Sequence, residues 1–107
     1  MQNEAKKYKQ RFMEHFAKNA DTEVSFGGNK TEDMYIVYLS SKKTKRNTEI
    51  IINGERADNS GCDSPLAMQN AISCYTAIPD GYTVPLNDDG YKKIIEHLEG
   101  ISAFRML

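Results

Sequence analysis

Between Asp33 and Ser41 the chain reads "DMYIVYLSS", and no other stretch constrains the fold as much. Successive side chains of a strand point to opposite faces. Met34, Ile36 and Tyr38 therefore share one face, and Tyr35, Val37 and Leu39 share the other. A strand apolar on both faces is central in a sheet, or it gives one face to a partner. "NTEIIING" sets Ile50 and Ile52 against Ile51, and Asn53-Gly54 ends it with turn chemistry. Upstream, in "DTEVSFGG", Val24 and Phe26 alternate with Glu23 and Ser25 ahead of the turn residues Gly27, Gly28 and Asn29. Three such strands joined by short turns predict an antiparallel meander.

The segments around the strands carry a helical period. Ala5, Tyr8, Phe12, Phe16 and Ala20 recur every three or four residues in "NEAKKYKQRFMEHFAKNA", which predicts an amphipathic helix. Ser64-Pro65 has the form of a helix start, a good N-cap followed by proline at the first helical position. Ala67, Met68, Ala71, Ile72, Cys74, Tyr75 and Ile78 follow as one stripe, so a helix is expected over 64–78. "YTVPL" reads as a short edge strand, because Pro85 excludes a central one. Asn87 or Asp88 caps a last helix with Tyr91, Ile94, Ile95 and Leu98 on its apolar side and Gly100 at its end. The expected fold is one α+β domain over 1–107. It is a two-layer sandwich, a three-stranded antiparallel meander with helices on one face, in the order α-β-β-β-α-(β)-α.

The α-β-β-β-α order, over about Tyr8 to Ile78, resembles that of double-stranded RNA-binding domains, which set a helix N-terminus against phosphates. The second helix here opens with "CDSPLAMQ", which holds an acid and no base, so no residue role is carried over.

At 39% hydrophobic and 27% charged residues, the 107-residue chain has the composition of a folded domain. It lacks an apolar run of the roughly 20 residues that cross a bilayer, and "MQNEAKKYKQRF" has no apolar core of a secretory signal. Cytoplasmic residence is expected. In that reducing compartment Cys62 and Cys74 are not expected to form a disulfide, and His15 and His97 lack the spacing that would complete a metal site. No cofactor motif occurs; "FGGN" lacks the lysine and helix of a phosphate-binding loop. Residues 1–50 hold ten Lys/Arg and seven Asp/Glu, and residues 51–107 hold four and eight. An imbalance this small does not mark a dedicated nucleic-acid binder.

Three surfaces carry candidate functions. The 64–78 helix has no charged residue, and charge depletion is a mark of interface cores. Leu66, Gln69, Asn70 and Ser73 on its outward side, with Tyr82, Asp88 and Asp89 nearby, form a candidate protein interface. Lys42, Lys43, Lys45 and Arg46 crowd a hairpin tip and offer contact to phosphate or an acidic surface. Cys62 stands just before a helix start, where a thiol pKa falls, and His15 or His97 would be its base; the adjacent Asp63 opposes thiolate formation. The leading expectation is a small protein-binding module, an inhibitor, immunity or regulatory protein such as phage-encoded inhibitors of bacterial defence, acting stoichiometrically and without catalysis. The alternatives are a nucleic-acid-binding domain using the basic hairpin and a thiol enzyme at Cys62. A homodimer through the 34–39 strand face or the uncharged helix is also open.

Overall fold

The computed structural model describes residues 4–29, 33–54, 74–79 and 81–100. Helix α1 (Glu4–Ala17) leads into strands β1 (Thr22–Asn29), β2 (Met34–Ser41) and β3 (Asn47–Asn53). Strands β4 (Tyr75–Ala77) and β5 (Thr83–Pro85) follow, then helix α2 (Asp88–Glu99). The strands form one antiparallel sheet in the order β1-β2-β3-β4-β5. The expected meander is its first three strands, and the fold is α+β. No helix among the described residues is long and apolar enough to cross a membrane.

The register explains why the sheet is two-sided. Phe26, Val37 and Ile50 form one cross-strand row, and Tyr35, Ile52, Thr76 and Val84 form another on the same face. Both helices cover that face. Tyr8, Phe12 and Phe16 of α1 and Ile94, Ile95 and Leu98 of α2 join Tyr35, Val37, Ile50, Ile52 and Val84 of the strands in one buried cluster. On the reverse face the alternation leaves Ile36, Ile51 and Ala77 partly buried, and Tyr38 exposed. β2 is an interior strand, flanked by β1 and β3, as its two apolar faces require.

The helix expected over 64–78 is corrected at its C-terminal end. Tyr75–Ala77 is a strand paired with β3 and β5, so the helical stripe does not run to Ile78. The alternation here is Tyr75 and Ala77 half-buried against Thr76 buried, the period of a strand. The same correction removes the helical end of the likeness to the RNA-binding domain. Residues 55–73 lie outside the described residues. β5 is the edge strand expected of "YTVPL".

The second correction concerns sulfur. Cys74 is disulfide-bonded, and Cys62 is the only other cysteine of the chain. The expectation against a disulfide, drawn from an assumed reducing compartment, is therefore corrected. Cys74 is buried, with its Sγ 3.6 Å from the Gly54 carbonyl oxygen.

Local chemistry fixes the helix ends. The Asn87 side chain accepts from the Gly90 N–H at 2.8 Å and caps α2. Gly90 is required by close approach, since a Cβ there would lie 1.9 Å from the Pro85 carbonyl oxygen. Gly100 has φ −70°, an ordinary right-handed value, and its N–H bonds the Glu96 carbonyl at 3.0 Å.

Candidate functional site

The two edges of the sheet are built differently, and the main-chain hydrogen bonds show how. The Lys42 N–H donates to the Asp21 carbonyl at 2.8 Å, so this pair, in register with β1–β2, is of the hydrogen-bonded kind. Antiparallel ladders alternate bonded and non-bonded pairs. Glu23, Ser25 and Gly27 therefore point their peptide groups at β2, and Val24, Phe26 and Gly28 point theirs outward. At the other edge the Leu86 N–H donates to the Cys74 carbonyl at 3.1 Å. The same alternation turns Thr83 and Pro85 outward, and proline has no N–H to offer. One edge is three residues long and blunted by Pro85; the other is eight residues long and holds no proline. Exposed edges of the second kind accept further strands unless blocked by charge or proline.

Beside the open edge lies a groove. α1 carries two parallel stripes. Tyr8, Phe12 and Phe16 point into the core, while Lys9, Met13 and Ala17, each one residue on, flank β1. Together with Gln10, Glu14, Val24 and Phe26 they line a concavity of about 390 Å³. Phe26 is 47% exposed within it. The Lys9 ammonium sits 4.0 Å from the Phe26 ring centroid and 5.1 Å from that of Tyr35. Leaving half of a phenylalanine in water forgoes roughly 1 kcal/mol of burial. The outward peptide groups and the side chains of Val24 and Phe26 belong to the same residues, so a strand that paired here would also enter the groove.

A second concavity, of about 340 Å³, lies where Glu23, Ser25, Tyr38, Ser40 and Asn47 meet on the reverse face. Ser40 Oγ donates to Asn47 Oδ1 at 2.7 Å. Among the described residues no group of three or more His, Cys, Asp or Glu is placed to hold a metal ion.

The residues singled out from sequence fall in several places. Leu66, Gln69, Asn70, Ser73 and Cys62 lie outside the described residues. Tyr82 is half-buried and stacks on His97, ring centroids 4.5 Å apart at 11°. Asp88 is exposed and bonded within the chain: it accepts from Arg11 at 2.6 Å and from the Tyr8 hydroxyl at 2.8 Å. Asp89 is exposed, 3.8 Å from Lys93. His15 is 2.8 Å from Glu99 and braces α1 against α2. Lys42, Lys43, Lys45 and Arg46 are all exposed on the β2–β3 turn. Asp21 anchors that turn, accepting from Ser41 Oγ at 2.5 Å and from the Lys43 N–H at 2.9 Å. The open edge is a candidate that the sequence reading does not contain. Its signal was the second stripe of α1, with Met13 and Ala17 widening the apolar arc toward a neighbour.

The chain matches no family model, no curated protein and no solved structure.

Proposed function

We propose that the chain is a protein-binding module that acts stoichiometrically, as an inhibitor or regulator, by accepting a polypeptide strand along β1. One observation carries this reading: the outward peptide groups of Val24 and Phe26 border an apolar groove that holds a half-exposed phenylalanine. Strand addition takes affinity from main-chain hydrogen bonds and selectivity from alternate side chains entering a groove. The bonded Cys74 supports action in an oxidising compartment over the cytoplasm expected from sequence.

Affinity capture from the native host, quantified by mass spectrometry, tests the reading. The bait is the protein itself, its Val24→Pro variant and a Lys43→Glu/Lys45→Glu variant. A polypeptide held by the parent and the basic-turn variant, and lost with Val24→Pro, is the expected result. Equal recovery with Val24→Pro overturns the reading.

A further inference from the structure

We propose that the strand received by β1 is the β1 of a second copy of this chain. Two sheets would then join edge to edge across a two-fold axis. The proposal rests on the docking reading above and names its occupant.

The sequence of β1 suits pairing with itself. With the axis through Ser25, antiparallel pairing sets Val24 opposite Phe26 of the second copy, and Phe26 opposite its Val24. Both pairs are of the hydrogen-bonded kind, because both residues turn their peptide groups outward. Aromatic residues opposite β-branched ones are among the favourable cross-strand pairs. Glu23, the one charge in the strand, falls opposite Gly27 and meets no like charge. Thr22 falls opposite Gly28. The four main-chain bonds exchanged by these two pairs come from the residues whose side chains line the groove, so pairing and burial of Phe26 occur together.

The groove favours a second copy over a charged peptide. It holds one charge of each sign on α1, Lys9 and Glu14, five positions apart. A two-fold axis reverses the helix direction, which turns the Lys9 end of one copy toward the Glu14 end of the other. A groove made for an acidic or basic peptide carries one sign. The far edge, blunted by Pro85, does not continue the pairing, so the assembly closes at two copies instead of growing into a filament. A regulatory partner that uses the same edge must displace the second copy, and docking then depends on concentration.

Light scattering and sedimentation from about 5 to about 500 µM test the proposal on the full chain. The parent should show a concentration-dependent dimer, and Val24→Pro and Phe26→Glu, checked for folding by circular dichroism, should be monomers. Ser25→Cys supplies the register. Residues facing each other in a non-bonded antiparallel pair have Cα atoms about 4.5 Å apart, within disulfide reach. Ser25→Cys should therefore give a covalent dimer under mild oxidation, well ahead of Glu23→Cys, whose two copies would stand about 13 Å apart. A parent that stays monomeric, a dimer that survives Val24→Pro, or equal cross-linking at 23 and 25 each overturns the proposal. A monomeric parent whose host partner is still lost with Val24→Pro leaves the docking reading standing with a foreign strand. Loss of neither dimer nor host partner in that variant removes both.

Discussion

Arg11 and Asp88, 77 residues apart in the chain, meet at 2.6 Å where the middle of α1 faces the first turn of α2. The Arg11 guanidinium lies 4.2 Å from the Tyr91 ring centroid and 5.2 Å from that of Tyr8. Tyr8 donates its hydroxyl to the same Asp88 carboxylate, so one acid, one base and two rings join α1 to α2. The bond from Arg11, with that from Tyr8 behind it, holds the Asp88 carboxyl below its ordinary value of 3.8. The same bond raises the Arg11 guanidinium.

A pH dependence follows with a definite sign. A carboxyl whose pKa is depressed by folding stabilises the fold above its unfolded value and loses that contribution as pH falls through the folded value. Thermal melts should therefore show a stability loss below about pH 3.8 that Asp88→Asn lacks. Parallel melting curves for the two proteins across that range would contradict the assignment. Burial raises the Tyr91 hydroxyl, so its contribution is complete below its ordinary value of 10.0 and fades at higher pH.

Proline scanning reads the direction of each peptide group in β1. Val24 turns its N–H outward, so Val24→Pro removes no ladder bond. Ser25 donates toward Tyr38 of β2, so Ser25→Pro removes one and leaves an acceptor without its partner. The second variant should be less stable than the first by about 1–3 kcal/mol. That difference corresponds to roughly 4–8 °C in melting temperature per kcal/mol. Equal melting temperatures would mean that β1 presents the opposite set of groups.

Gly54 should not accept a side chain. A Cβ there would stand 2.5 Å from Asp33 Oδ2 and 2.9 Å from the Ala5 nitrogen. Gly54→Ala is expected to cost about 1–3 kcal/mol through overpacking. Denaturant titration checks this, and an unchanged midpoint would refute the packing.

The disulfide makes a chemical prediction. With Cys74 bonded, the unreduced protein should take up no iodoacetamide, which would also end the thiol-enzyme alternative at Cys62. A bridge between these two cysteines closes a short loop, and its reduction should cost roughly 3 kcal/mol. Rapid labelling without reductant would show that the bond is absent.

What could be read from sequence tracks the length of each pattern. α1 and β1–β3 span seven residues or more, enough for a period of two or of about 3.6 to declare itself. Tyr75–Ala77 offers three residues, embedded in an apolar run that also satisfies helical spacing, so the spacing there predicts helix. A cap at Asn87 or Asp88 is legible because both side chains have a local cause to accept from a helix start, and the structure uses Asn87. The open edge had no local cause. That β1 is outermost depends on β4 entering beside β3, a pairing made across residues 55–73. The disulfide was hidden by a premise about compartment, not by geometry.

The meeting of Asp33, Ala5 and Gly54 bears on the order of assembly. Asp33, with φ 48°, sends its carboxylate 28 residues back to accept from the Ala5 N–H at 3.3 Å, and its carbonyl accepts from the Gly54 N–H at 3.0 Å. A 14-residue helix is marginal by itself in water. This one receives an acceptor for its first turn only when the β2–β3 hairpin has set Asp33 and Gly54 side by side. Helix and hairpin are thereby committed to forming in one cooperative step, and a peptide of residues 4–17 should remain largely unfolded until the hairpin is supplied.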